Sequence, residues 1–528
     1  MFERRLSAAS QRLRSAVDAA VQSSTHFGRT LDRAPGFAFL CFSIVYFLGA
    51  FSAARVRPLW LDEILALYIS SLPSFADIWR ALTNALDGNP PLYYLLNRPI
   101  LSLLGSSGIS VRLTAVLGFW LASAAVFLFV RARTSTLPAL FSVLLFVHSG
   151  AYRWAYEARP YALVLGLAGL AILFWQQCSE PGPARKLKLA GLVLSLAAIV
   201  SLHYYSLLVI APLACAELAR TFSRRRFDSG VWIAIAAGAC VILLWLPIID
   251  AVRANVAGNS LSPEYFARPT YGALYESFNS LYRSTLLPLV LALIVVVPLL
   301  LRRETGDPPA LPEILIPLPD LVLASVLTAF PLFCFTFAVL VTGTFHVRYV
   351  LPGAMGPSIL GGFAAAACFR ARPAILVGAL GVFFAHFFLT SVLLSGVPLS
   401  VPYGDHLSYV SNSTHGDLPI AVAEGLLFVP MRHYSSPPLR DRLFYLTDLA
   451  TASRTTDTTN ENILLAFRDW APRNILPLEE FISARKRFLV YYIGETGNST
   501  LEALRLRGCR LALLNKEFKR MMFECACP

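Results

Sequence analysis

The apolar residues of this 528-residue chain are gathered into blocks of about 16–24 residues separated by short polar stretches. That block length is what a helix needs to cross the hydrocarbon of a bilayer. The composition agrees. A soluble globular chain is roughly 45–50% apolar and about 25% charged, whereas here the values are 56% and 15%. The expected fold class is a polytopic α-helical membrane protein. Eleven spans are predicted, at about 35–54, 110–131, 137–152, 160–177, 187–203, 205–220, 231–249, 284–301, 320–342, 347–369 and 373–397. The apolar segment Leu92–Leu104 is too short to cross and reads as re-entrant or interfacial.

The net charge of +13 raises the question of nucleic acid. The cations lie in short loops between the spans, so they signal membrane topology rather than nucleic-acid binding. With a cytoplasmic N-terminus, the inner pieces carry Arg4, Arg5, Arg12, Arg14, Arg29 and Arg33, then Arg131 and Arg133, then Arg185, Lys186 and Lys188. The later inner loops add Arg220 and Arg224–Arg226, Arg302 and Arg303, and Arg370 and Arg372. Three regions follow: a cytoplasmic N-terminal segment (1–34), a transmembrane domain (35–399) and an extracytoplasmic domain (400–528). The expected location is the inner or plasma cell membrane, crossed many times and in contact with its lipids.

Beyond about residue 400 polar residues return. Strand-like runs at Ile420–Val429, Phe488–Ile493, Leu511–Leu514 and Arg520–Cys525 occur with helix-like Leu476–Arg487 and Leu501–Leu506 between them, which predicts a small α/β domain with a parallel sheet. Cys509, Cys525 and Cys527 allow one disulfide with one thiol left over. Asn412 and Asn498 each open an Asn-Ser-Thr triplet, a pattern common by chance.

The chosen topology puts polar and aromatic groups from five distant stretches on one membrane boundary, as a site built from helix ends requires. The first is Leu61-Asp62-Glu63. Ionisable residues beside hydrocarbon are functional candidates, and a carboxylate in a partly desolvated cleft serves as a general base near neutral pH. Two adjacent side chains on a helix cannot point the same way, so one faces the site and the other is held by a partner. A solvated cap is the plainer reading of any Asp-Glu pair. The second stretch is Asn89-Pro90-Pro91-Leu92-Tyr93-Tyr94, a stop and helix start preceded by Asp87. The third, Tyr156-Glu157-Ala158-Arg159-Pro160-Tyr161, offers a cation for phosphate and an acid for a hydroxyl or ammonium group; its plainer reading is a weak loop ion pair. The fourth is His203-Tyr204-Tyr205 at a span end, where a histidine is more often structural. The fifth, His346-Val347-Arg348-Tyr349, carries a guanidinium shaped for a lipid phosphate. No metal-ligand cluster stands out and no cofactor is certain. A divalent cation, Mg²⁺ or Mn²⁺, is compatible with one or two of these carboxylates plus substrate phosphate.

These motifs, in this order, resemble the C-type (GT-C) polyprenyl-phosphate-dependent glycosyltransferases. The similarity is greatest to the family 39-like branch of protein O-mannosyltransferases and aminoarabinose transferases. It covers about residues 35–370 and rests on Leu61-Asp62-Glu63, Asn89–Tyr94, Glu157–Tyr161, His203-Tyr204 and Arg348–Pro352. The resemblance implies a sugar donor on a polyprenyl phosphate and a lipid, glycan or protein acceptor, with inverting transfer on the extracytoplasmic face. It implies Asp62 as the base and Glu63 as its orienting neighbour. Asp87, Asn89, Tyr93, Glu157, Arg159, Tyr161, His203, Tyr204, Arg348 and Tyr349 are then the expected substrate-binding residues. A transporter or lipid-linked-sugar flippase is the rival class. It predicts a midplane site and inverted repeats, whereas the polar groups here lie at span ends. A non-catalytic scaffold leaves the acidic loop and Arg348 unexplained.

Overall fold

A computed structural model describes residue 19 and residues 21–179, 182–257, 265–301, 315–369, 372–395, 402–413, 416–455, 458–468, 474–494 and 498–528. Most of the N-terminal segment and the loop cations Arg302, Arg303 and Arg370 lie outside the described residues. The chain forms two compact units, Met1–Ala54 with Thr114–Val241 and Pro269–Val397, and Arg55–Leu113 with Ile242–Arg268 and Pro398–Pro528.

The first unit is a helical bundle. Its opening helix, Pro35–Val56, shows why the sequence carries no amphipathic stripe. Phe37, Leu40, Ile44 and Leu48 are exposed along one face, while Ala38, Phe42, Tyr46, Ala50 and Ala53 are buried on the other. Both faces are apolar because one meets protein and the other meets lipid. Inside the bundle, small residues allow close helix contact. A Cβ on Gly118 would lie 2.5 Å from Leu163 Cα, and one on Gly166 would lie 2.4 Å from Gly118 O. These two glycines set the crossing of Gly108–Arg131 with Tyr161–Gln177. Buried ion pairs add specific ties. Arg133 meets Asp320 at 2.7 Å, Gln176 donates to the same carboxylate, and Arg220 pairs with Glu217 at 3.1 Å.

Each of the eleven expected spans overlaps a helix or helix pair, but not all are long enough alone. Among the described residues, seven helices are long and apolar enough to cross a membrane, and nine if two sharply bent pairs each count as one span. The bent pairs are Gly150–Tyr156 with Tyr161–Gln177, at 115°, and Leu318–Thr328 with Phe330–Thr342, at 54°. Two expected spans fall short of the same length, at Thr136–His148 and at Arg185–Val200, which opens on three cations. Leu92–Leu104 is a helix of 13 residues that packs on Leu61–Ser70 in the second unit. At about 1.5 Å per residue it cannot span about 30 Å of hydrocarbon.

The C-terminal part of the second unit holds a six-stranded mixed sheet. The strands are β1 (Ile420–Val422), β2 (Leu443–Thr447), β3 (Ile475–Pro477), β4 (Arg487–Ile493), β5 (Arg510–Glu517) and β6 (Arg520–Ala526), in the order β3-β2-β1-β4-β6-β5. The first four are mutually parallel, and β6 runs antiparallel to both β4 and β5. Ala421, Phe444, Phe481, Phe488, Val490 and Leu504 lie in its core. The run Ile420–Val429 is strand only to Val422; from Gly425 to Tyr434 the chain is helical. A continuous apolar run does not separate a buried strand from a buried helix, and Glu424-Gly425 marks the break. Strands β2 and β3 were not expected; β3 takes Leu476 and Pro477 from the run read as helix, which is helical from Leu478 to Ala484. Cys509 and Cys527 form a disulfide beside the β5–β6 hairpin, leaving Cys525 as a buried thiol. Asn498 is a helix cap, its side-chain oxygen accepting from the N–H groups of Thr500 and Leu501.

Candidate active site

The Asp62-Glu63 pair lies in the first turn of Leu61–Ser70, where the helix dipole favours negative charge. The two side chains diverge. Glu63 is 1% exposed and Arg112 is 2% exposed. They form a two-pronged ion pair, with Arg112 Nε 2.7 Å from Glu63 Oε1 and Nη2 2.6 Å from Oε2. Arg112 also donates to the carbonyls of Arg57 and Pro58, and the Trp60 N–H donates to Glu63. One guanidinium thus fixes the end of one helix, the turn and the start of the next. Buried charge is tolerable only with this degree of pairing. Asp62 is half-exposed beside it.

The Asp62 helix is held from a second direction within its unit. Helix Gly425–Tyr434 packs on it, and the Leu59 N–H donates to Tyr434 Oη at 2.6 Å. Tyr68, on the helix itself, makes edge contacts with His433 and Phe467. Burial raises the Tyr434 phenol above its ordinary range, so it stays neutral.

Asp87 and Asn89 also belong to this unit and bond to each other. Asn89 Nδ2 donates to Asp87 Oδ1 at 2.7 Å, with both residues buried. The turn they shape delivers the helix whose first residues include Tyr93 and Tyr94. Both rings are fully buried and pack edge to face.

The first unit carries a separate cluster of cations and rings. The 115° bend puts Glu157, Ala158 and Arg159 on a corner, where the Arg159 N–H donates to Glu157 O. The turn before that corner sits tightly on helix Tyr271–Leu301, since a Cβ on Gly150 would lie 1.7 Å from Ser280 O. Arg159 and Arg348 both approach the Tyr161 ring, at 6.0 and 5.8 Å from its centroid, and Arg348 lies 5.7 Å from that of Tyr349. His203 packs on Tyr161 and on Tyr349, with centroids at 5.4 and 5.0 Å, and Tyr205 stacks on Tyr349 at 4.2 Å. Trp154 continues the stack from Tyr161 to Arg153. The His346 ring accepts from the Arg348 N–H. Burial, then the charges of Arg348 and Arg153, push this imidazole down to about 3.

Of the residues expected from sequence, Arg159, Tyr161, His203, Arg348 and Tyr349 come together here, with Glu157 at the edge. Tyr204 is next to the stack in sequence, but it is Tyr205 whose ring joins Tyr349. The second unit holds Asp62, Glu63, Asp87, Asn89 and Tyr93. Arg112 and Arg153 were not singled out by sequence; Tyr205 was named in its stretch but not among the expected binding residues. Arg112 had one signal, an arginine just inside an apolar span with no loop to belong to.

The carboxylates do not assemble a metal site. Among the described residues, the one group of three metal-capable side chains is Cys509, Cys525 and Cys527, and two of those are joined in the disulfide. Both Glu63 oxygens serve Arg112 and one Asp87 oxygen serves Asn89. Glu63 is thereby committed to Arg112 rather than to a metal cation.

No family model and no curated protein sequence matches the chain. Solved structures do. ArnT from Cupriavidus metallidurans in the apo state aligns over 93% of this chain and 98% of its own, with a TM-score of 0.56 and 15% identity. The same protein bound to undecaprenyl phosphate aligns over 92% and 97%, with a TM-score of 0.54 and 14% identity. The oligosaccharyltransferase of Archaeoglobus fulgidus, in complex with Zn and sulfate, aligns over 84% and 67% at a TM-score of 0.42 and 9% identity, too distant to bear on the reading. The chain therefore shares the fold of ArnT over nearly its whole length. Its nearer counterpart of the two is ArnT, matched along almost the whole of both chains.

Proposed function

We propose that this chain is an integral-membrane glycosyltransferase that moves a sugar from a polyprenyl-phosphate donor to an acceptor hydroxyl or similar nucleophile, on the extracytoplasmic face and with inversion. The observation that carries this reading is the division of the Asp-Glu pair within a fold whose counterpart binds undecaprenyl phosphate. Glu63 is consumed by Arg112, and the half-exposed Asp62 is held on a helix fixed at both ends. Transfer from a phosphate needs two kinds of group, a base for a weak nucleophile and cations for the leaving oxyanion. In the proposed step, Asp62 takes the acceptor proton as the acceptor oxygen bonds to the anomeric carbon. The bond from that carbon to the phosphate oxygen breaks, and the electron pair leaves with polyprenyl phosphate. Arg348 and Arg159 are assigned to that phosphate, with Tyr161, His203 and Tyr349 holding the guanidiniums in place. Glu63 and Arg112 position Asp62, and Asp87 with Asn89 shapes the neighbouring turn.

An apolar groove of about 460 Å³ in the first unit, lined by Phe141, Leu145, Tyr282, Leu289, Pro357 and Phe369 among others, suits the prenyl chain of such a donor. The test is mass spectrometry of envelope glycans and polyprenyl-linked sugars in cells carrying the wild-type gene, the Asp62→Asn gene or none. A glycan mass present only with wild type, matched by build-up of the lipid-linked sugar in the other two, is expected. Identical profiles in all three would overturn the reading.

A further inference from the structure

Six residues beyond Asp62, the same helix reaches a pair of arginines that no carboxylate neutralises directly. Arg432 lies near the end of helix Gly425–Tyr434 and Arg440 in helix Pro437–Arg442. Both are half-buried, and neither forms an ion pair among the described residues. They are held through main-chain oxygens instead. Arg432 Nη1 donates to Arg440 O at 3.2 Å, and Arg440 Nη2 donates to Ser435 O at 2.9 Å. The Nε–H of each is buried with no acceptor.

That arrangement is expensive as it stands. A buried N–H without a partner forfeits its hydration, and a charged one forfeits more. Burial and the neighbouring Arg440 charge depress the Arg432 guanidinium below its ordinary range, with Tyr68 and the exposed Asp441 acting in the opposite direction. His433 is likewise kept neutral by burial and by Arg440, so it adds a ring rather than a third charge. Tyr68 and His433 meet edge to face, centroids 6.5 Å apart, and Phe467 closes on Tyr68 at 5.4 Å.

We propose that Arg432 and Arg440 form an oxyanion-binding site for a phosphate-type group, beside Tyr68 and His433. Two guanidiniums present more N–H groups than a planar carboxylate satisfies, whereas a phosphate offers three or more acceptor oxygens and suits the guanidinium fork. The group comes from a bilayer phospholipid headgroup or from a phosphate on a soluble or acceptor molecule. Six residues of helix separate Tyr68 from Asp62, about 9 Å along the axis, so an anion held here lies within a sugar's length or two of the proposed base. The site stands on its own geometry and does not depend on the transfer reading.

Arginine footprinting tests it on the wild-type, full-length protein. Phenylglyoxal modification is mapped by mass spectrometry in a maltoside detergent, which carries no phosphate, with and without inorganic phosphate, and in nanodiscs containing phosphatidylglycerol. Arg468, an exposed arginine paired with Glu480, is the internal control. Inorganic phosphate is expected to slow modification of Arg432 and Arg440 by about tenfold at ten times its half-protecting concentration, as one-site occupancy requires, and to leave Arg468 unchanged. Protection seen only with phosphatidylglycerol supports the site and assigns it to a lipid headgroup. Protection by neither, or protection equal to that of Arg468, overturns the proposal.

Discussion

Glu63 and Arg112 in the second unit are a closed pair, two buried charges that satisfy each other and the surrounding carbonyls. The cations of the first unit are arranged differently. Arg348, Arg159 and Arg153 are spread over the faces and edges of Tyr161, Tyr349 and Trp154. A closed pair gives rigidity and no capacity to bind further charge. The rings add a contact of another kind, since an aromatic face attracts a cation without neutralising it. The contrast separates a region built to hold one carboxylate still from one suited to receive an anion.

The largest effect tests what the closed pair is for. Asp62→Asn is expected to lower transfer by about 10²–10⁴-fold, the range for loss of a general base, with the unfolding midpoint unchanged. Activity near wild type would reassign the base. Breaking the pair itself comes next. Glu63→Gln leaves Arg112 buried without a counter-charge and is expected to cost about 3–5 kcal/mol, read by denaturant or thermal unfolding. Arg112→Lys keeps the charge opposite Glu63 but should also lose stability, since an ammonium has no fork; wild-type stability in that variant would mean the geometry is not the lock.

On the other side of the comparison, Arg348→Ala is expected to raise the KM for the polyprenyl-linked donor about tenfold or more, the worth of one charge-assisted hydrogen bond. Stability should change little. An equal fall in kcat with KM unaltered would place Arg348 outside donor binding. The smallest effect at neutral pH concerns His346. Its folded value near 3 lies below the unfolded value of about 6.5, so protons bind the unfolded chain first. Stability is intact above about pH 6.5 and is lost as pH falls toward 3, by at most about 1.4 kcal/mol per pH unit. His346→Gln should flatten the difference in unfolding free energy between pH 7 and pH 5; an unaltered slope would show that another group carries it.

The helical bundle was legible because apolar blocks of span length have few other uses. What sequence missed was local geometry. The Gly150–Tyr156 turn and the bend after it leave less than a span on either side, and a hydropathy block does not record a 115° corner. Of the candidate residues, Arg159, Tyr161, His203 and Arg348 were named from sequence and do lie together, because residue type and position coincided there; their role in a site is a proposal. Arg112 escaped because its meaning lies in a partner 49 residues away. Arg153 escaped, and Tyr204 was preferred to its neighbour Tyr205, because stacking is settled by side-chain direction, which a list of neighbours in sequence does not contain. The run after β1 was read as strand because its helix is buried on the sheet and lacks a polar stripe.

The hydrogen bond from the Leu59 N–H to Tyr434 joins residues 375 positions apart. A ribosome finishes the Asp62 helix long before it makes the helix that braces it. Until that later helix has been made, the helix of the proposed base lacks its second support.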